Sequence, residues 1–212
     1  VTVTDLLDSS MMKDCFPLLA QHLKLVSSTP IRNMATVAGN IVNASPIGDI
    51  TIWLLAMNAT VVLKNGFIRE IPLRDFFQGY KRLAKTADEF IEKVYFKKPS
   101  ENSWFNFEKV SKRRYLDIAS VNTAMLITVE NGVITEAHLS AGGVSPIPLY
   151  LKNTSSCLLH QPLPLEEEHE LEIHQLIQNE IHPISDVRGT AEYKRLLMRQ
   201  LFKAHFMEYA AA

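Results

Sequence analysis

Five short polar side chains, Thr36, Asn40, Asn43, Ser45 and Asp49, crowd the segment TPIRNMATVAGNIVNASPIGD, residues 29–49. Small residues lie among them at Ala35, Ala38, Gly39, Ala44 and Gly48. A backbone comes close to a flat or charged ligand only where side chains are small, and Thr, Asn and Ser add short-range hydrogen-bonding groups. Ser45-Pro46 reads as a helix opening, with Ser as N-cap and Pro in the first turn. The segment then ends at a helix N-terminus, where free backbone N–H groups favour phosphate or other polar cofactor atoms. Asp49, in the first turn of that helix, is placed to accept hydrogen bonds from ribose or ribityl hydroxyls. The same residues also suit a turn that only caps a core helix, and short Gly/Asn patterns leave both readings open.

No other segment offers a nucleophile or general base. There is no Gly-x-Ser-x-Gly, no Gly-Lys-Ser phosphate loop and no HExxH. His169 and His174 are five residues apart, not the three or four that bring helical side chains together, and read as a solvated face. The basic run SKRR, residues 111–114, reads as a solvated strand end. Cys15 and Cys157 lack activating neighbours and read as small buried hydrophobes. If the chain belongs to an enzyme, the reactive atoms are a cofactor's.

The chain has 212 residues, 47% hydrophobic and 21% charged, with a net charge of −1. That balance argues against a nucleic-acid footprint. Two cysteines exclude an iron–sulfur cluster and a four-cysteine zinc site within the chain, and point to the cytoplasm. No apolar run reaches the roughly 20 residues that span a bilayer.

The elements that must position the polar segment follow from pattern. Residues 4–25 read as two short helices, with Thr4 as an N-cap and Pro17 opening the second. ITIWLLAMNA is apolar on every side and reads as a buried helix. Asn65-Gly66 and Asn131-Gly132 mark hairpins between strand-like runs. DEFIEKVYF alternates as a strand. From about Leu149 the chain turns helical, ending in TAEYKRLLMRQLFKAHFMEY with Leu196, Leu197, Leu201, Ala204 and Phe206 as its apolar stripe. A polar break at residues 97–103 divides the chain into domains 1–98 and 99–212.

Taken together, IRNMATVAGNIVNASPIGD, FEKVSKRRYLDIASVNTAM, LSAGGVSPIPL and DVRGTAEYKRLLMRQL resemble, in order, segments of the molybdenum hydroxylases: xanthine dehydrogenase and the medium subunits of carbon monoxide dehydrogenase-type enzymes. The resemblance implies an α+β fold. The first part would be the second subdomain of a two-part FAD-binding domain, and a small α+β C-terminal domain of antiparallel sheet and helices would follow. It implies an FAD-binding electron-transfer subunit that passes electrons from iron–sulfur clusters through flavin to NAD or another acceptor. Molybdopterin and the clusters are expected in partners, an iron–sulfur subunit and a molybdopterin-binding subunit.

The flavin contacts carried over from the family fall on Thr36, Gly39, Asn40, Ser45 and Asp49, on Val26 and Ile91 as apolar contacts, and on Lys109. Ala38 stands where the family usually has the first of two glycines, which matters if that position needs positive φ. The family's other, Gly-rich FAD loop lies upstream of these residues, so the chain is expected to begin in mid-domain and to hold FAD poorly alone. The alternative reading is a non-catalytic assembly or binding module that keeps the fold without useful flavin.

Overall fold

A computed structural model describes residues 1–211. The chain opens with short helices: α1 (Val3–Asp8), α2 (Ser10–Cys15), α3 (Leu19–Lys24), α4 (Thr29–Met34) and α5 (Val37–Val42). Where the sequence suggested two helices before residue 25, there are three. Thr2, not Thr4, caps the first, in a reciprocal capping box with Asp5. Pro17 sits in the turn before α3, and Ser9 starts a new helix by capping Met12.

Helix α6 (Asp49–Ala56) is buried from Ile50 through Ala56, as its uniformly apolar sequence requires. It is followed by β1 (Thr60–Lys64), β2 (Ile68–Pro72), α7 (Leu73–Phe76), β3 (Phe77–Gly79), β4 (Arg82–Leu83) and β5 (Phe90–Tyr95). Strand β1 lies between β2 and β5, antiparallel to both. The second half has β6 (Ser103–Val110), β7 (Val121–Glu130), β8 (Val133–Gly142) and β9 (Leu149–Tyr150), then α8 (Lys152–Leu158), α9 (Glu167–Glu180) and α10 (Ala191–Ala211). Its sheet runs β6-β7-β8-β9, antiparallel throughout. The β7–β8 hairpin turns at Asn131 and Gly132, both at positive φ (52° and 76°), as an Asn-Gly turn demands.

This second sheet is the centre of the molecule. Successive side chains of a strand point to opposite faces, so Ala124 and Leu126 of β7 join a core with α6, while Val121, Met125 and Ile127 join one with α8, α9 and α10. The two halves therefore share a core across β6 and β7.

Helix α10 departs from expectation. Leu196 is 49% exposed, and the buried stripe is Lys194, Leu197, Met198, Leu201, Phe202 and His205. The 3.6-residue period carries position 196 off the face that meets the sheet. His174 is likewise buried rather than solvated. Its ring packs edge-on to Phe202, and its Nε2 lies 3.2 Å from Glu170, one helical turn away. Cys15 and Cys157 are free and only half-buried.

Candidate functional site

The segment 29–49 is not a loop. It holds α4, which ends in extended backbone at Ala35 and Thr36, and α5, which ends in a turn at residues 43–44. Thr36 is the N-cap of α5, its Oγ1 accepting from the Gly39 N–H at 2.9 Å. A Cβ on residue 39 would sit 2.8 Å from that oxygen, so glycine leaves room for the cap. Ala38 lies inside α5 and adopts no positive φ, which removes the objection raised by the missing glycine.

Ser45 does not open the next helix. Residues 45–48 form a turn, Gly48 is the N-cap of α6, and Ser45 Oγ accepts only from Ile47 N, at 3.4 Å. The capping side chain comes from elsewhere. Asn40 Oδ1 accepts from Thr51 N at 3.2 Å and from Thr51 Oγ1 at 2.9 Å. A tertiary contact between α5 and α6 thus satisfies an N–H that a local Ser was expected to serve.

A cavity of about 1120 Å³ opens beside this turn. It is lined from the first half of the chain by Val26, Ser27, Ile31, Asn40, Ser45 and Asp49, with Tyr80 and Lys81, and from the second half by Arg113, Ile118, Gly143, His182, Ile184 and Arg188. Arg32 braces the first wall by donating to the carbonyls of Val26 (2.7 Å) and Ser27 (3.0 Å), where Ser27 holds φ +45°.

Asp49 supplies the carboxyl beside the 45–48 turn, its side chain 12% exposed. Lys109 Nζ donates to its Oδ2 at 2.7 Å, and Asn122 Nδ2 donates to its Oδ1 at 2.6 Å. Burial pushes the Asp49 carboxyl above the usual carboxylate range, and the charge of Lys109 and these two hydrogen bonds pull against that rise. A carboxylate has about four lone-pair sites, so two remain for a donor in the cavity.

Of the residues singled out in the sequence, Val26, Asn40, Ser45 and Asp49 line one cavity. Thr36 and Gly39 do not line it; their contacts build α5. Ile91 lies apart, paired with Leu63 in the first sheet and packed on the first core. Lys109 stands behind Asp49 rather than in the cavity, with its side chain 3% exposed. Sequence reasoning missed Asn122, whose only signal was an amide in a mostly apolar strand. It also missed the 182–188 wall, which nothing in its own residues marks. Among the described residues, no group of three or more His, Cys, Asp or Glu is placed to hold a metal ion, and no helix is long and apolar enough to cross a membrane.

Residues 1–98 match the family described as FAD binding domain in molybdopterin dehydrogenase, and residues 107–209 match the CO dehydrogenase flavoprotein C-terminal domain. The chain carries these two domains in that order, and it spans less than two thirds of the length of the first relative below. It is 32% identical over 189 residues to the nicotinate dehydrogenase FAD-subunit of Eubacterium barkeri, covering 86% of this chain and 63% of that protein's length. It is 27% identical over 207 residues to the glyceraldehyde dehydrogenase medium chain of Sulfolobus acidocaldarius, covering 97% of this chain and 72% of that one. A solved structure of carbon monoxide dehydrogenase from Hydrogenophaga pseudoflava superposes with a TM-score of 0.89 at 23% identity, over 96% of this chain and 70% of that one. That likeness establishes the two-part α+β fold with its antiparallel sheets.

Proposed function

We propose that this chain is the FAD-holding part of a molybdenum hydroxylase's electron-transfer component, with the flavin dinucleotide seated in the cavity beside Asp49. Such a component stands between iron–sulfur clusters and an acceptor such as NAD. Its partners are then an iron–sulfur subunit and a molybdopterin-binding subunit, and its two domains run over residues 1–98 and 99–212. FAD, when bound, supplies the redox chemistry. The chain's own residues bind and orient it.

The residues present fit such a ligand. Ligand sites typically enclose about 300–1,000 Å³ of mostly apolar space with a few placed polar groups, and this cavity reaches about 1120 Å³. Val26, Ile31, Ile47 and Ile118 offer apolar surface for a ring system. Asp49 offers acceptors for hydroxyls, and Asn40 Nδ2 and the Ser45 hydroxyl offer donors beside it.

The observation that carries the reading is Asp49: a nearly buried carboxylate, anchored from behind by Lys109 and Asn122 and bordering a large cavity. In the full-length protein, Asp49→Ala is expected to weaken FAD by roughly 1.5–3 kcal/mol, as for a hydrogen bond to a charged group. Fluorescence quenching gives the dissociation constants. Unchanged affinity in a folded variant removes Asp49 from the site.

A further inference from the structure

We infer that Asn122 and Lys109 are positioning residues, which fix the Asp49 carboxylate from the C-terminal half so that it meets a cavity ligand only as an acceptor. The inference rests on the reading of the cavity as the flavin site, and it assigns to Lys109 an action through Asp49 rather than a contact of its own.

The register of the second sheet carries the argument. Lys109 on β6 and Asn122 on β7 are direct cross-strand partners, so their side chains leave the sheet on the same face, toward the start of α6. Each takes a different oxygen of Asp49, and each has a second anchor. Lys109 Nζ also donates to the Leu25 carbonyl at 2.7 Å, next to the cavity wall at Val26. Asn122 Nδ2 also lies 3.4 Å from the Ile47 carbonyl, in the turn that precedes α6. One pair of side chains thus ties together Asp49, the 25–26 wall and the 45–48 turn.

Asn122 is fully buried, yet its Oδ1 has no hydrogen-bond partner. An apolar residue would avoid that penalty if packing were all the position required. The amide cannot be turned over to advantage, because Oδ1 would then face the acceptor oxygen of Asp49. The neighbouring strand holds it in place. Gly142 on β8 pairs with Asn122, and a Cβ there would lie 2.2 Å from Asn122 Oδ1 and 2.9 Å from the Pro46 carbonyl. The missing side chain admits both the amide and the turn.

The test joins a readout that needs no flavin to one that does. In the ligand-free wild type, carboxyl-carbon NMR follows the titration of Asp49, and the side-chain amide of Asn122 is expected to shift with the same midpoint. In Asn122→Leu and Lys109→Met, the Asp49 midpoint is expected to rise by about one unit or more, with the larger rise for Lys109→Met. FAD affinity in the full-length protein is expected to fall about 10-fold for Asn122→Leu and more for Lys109→Met.

An Asn122 amide that ignores the Asp49 titration in the wild type overturns the inference without any variant having to fold. So does an Asp49 midpoint unchanged in both folded variants. If FAD affinity holds in both while Asp49→Ala loses it, the flavin reading stands and the positioning role falls. If Asp49→Ala leaves FAD affinity unchanged while the titrations couple as expected, the flavin reading falls and the positioning of Asp49 stands.

Discussion

Strands β6 and β7 carry two buried polar clusters, one on each face of the same sheet. Toward α6, Asp49 is held by the ammonium of Lys109 and the amide of Asn122. Toward α10, His205 is fully buried between Asn106 on β6 (3.1 Å to Nδ1) and Thr123 on β7 (2.9 Å to Nε2). Burial, with a contribution from His22, pushes His205 down to about 3, so that cluster is neutral. His22, itself buried beside the rings of Phe105 and Phe107, is pushed down to about 4, mainly by burial. The difference teaches what each face is for. A neutral cluster closes a core, whereas a buried ion pair is costly and is most useful where a charge has to be presented.

The largest expected effect breaks the charged cluster. Lys109→Met leaves Asp49 buried without its cation, and about 3–5 kcal/mol of stability is expected to go near pH 7.5. The loss should shrink as pH falls, because Asp49, already raised by burial, can then take a proton. Urea unfolding across a falling pH series measures both. A loss below about 1 kcal/mol near pH 7.5 would mean that the pair carries no buried charge, and the contrast between the faces would collapse.

Acid sharpens the contrast without mutation. His22 and His205 bind protons more weakly folded than unfolded, so their contribution is complete above about pH 6.5 and is lost as pH falls toward their folded values of about 4 and about 3. The two together are expected to remove roughly 2 kcal/mol between about pH 6 and 5. Asp49 has the opposite sign. Its carboxyl is raised on folding, so its contribution improves as pH falls into the window between its folded and unfolded values. His205→Gln is expected to flatten the acid loss while sparing the Asp49 titration. An acid profile unchanged in that variant would detach His205 from the loss.

The smallest effect separates two ways of capping α6. Asn40→Ala is expected to cost about 1 kcal/mol, since it frees the Thr51 N–H. Ser45→Ala is expected to stay within about 0.5 kcal/mol, since Ser45 serves only its own turn. Equal costs in thermal unfolding would return the capping role to Ser45.

Much of this was legible locally. The apolar run of α6, the Asn-Gly hairpins and the alternating strand at Phe90–Tyr95 all stand where the pattern put them. Of the residues that the family resemblance named together, Val26, Asn40, Ser45 and Asp49 line one cavity, whereas Thr36, Gly39, Ile91 and Lys109 do not. The helical period of α10 was visible too, although its phase was not. Leu196 and Leu197 are equally apolar, and only the position of the sheet decides which of them is covered.

The sequence by itself determined the element types and the small-residue segment, because propensity, turn chemistry and periodicity act over a few residues. It also contained every side chain of the Asp49 cluster. Tertiary structure alone decided what those side chains do. Asn40 caps a helix eleven residues away, Asn122 reaches Asp49 across seventy-three residues, and Lys109 faces Asp49 because the β6–β7 register sets it opposite Asn122. Hydrogen bonds of that kind depend on which face of a sheet meets which helix, and a shift of one residue in the β6–β7 register would send one of the two donors to the other core.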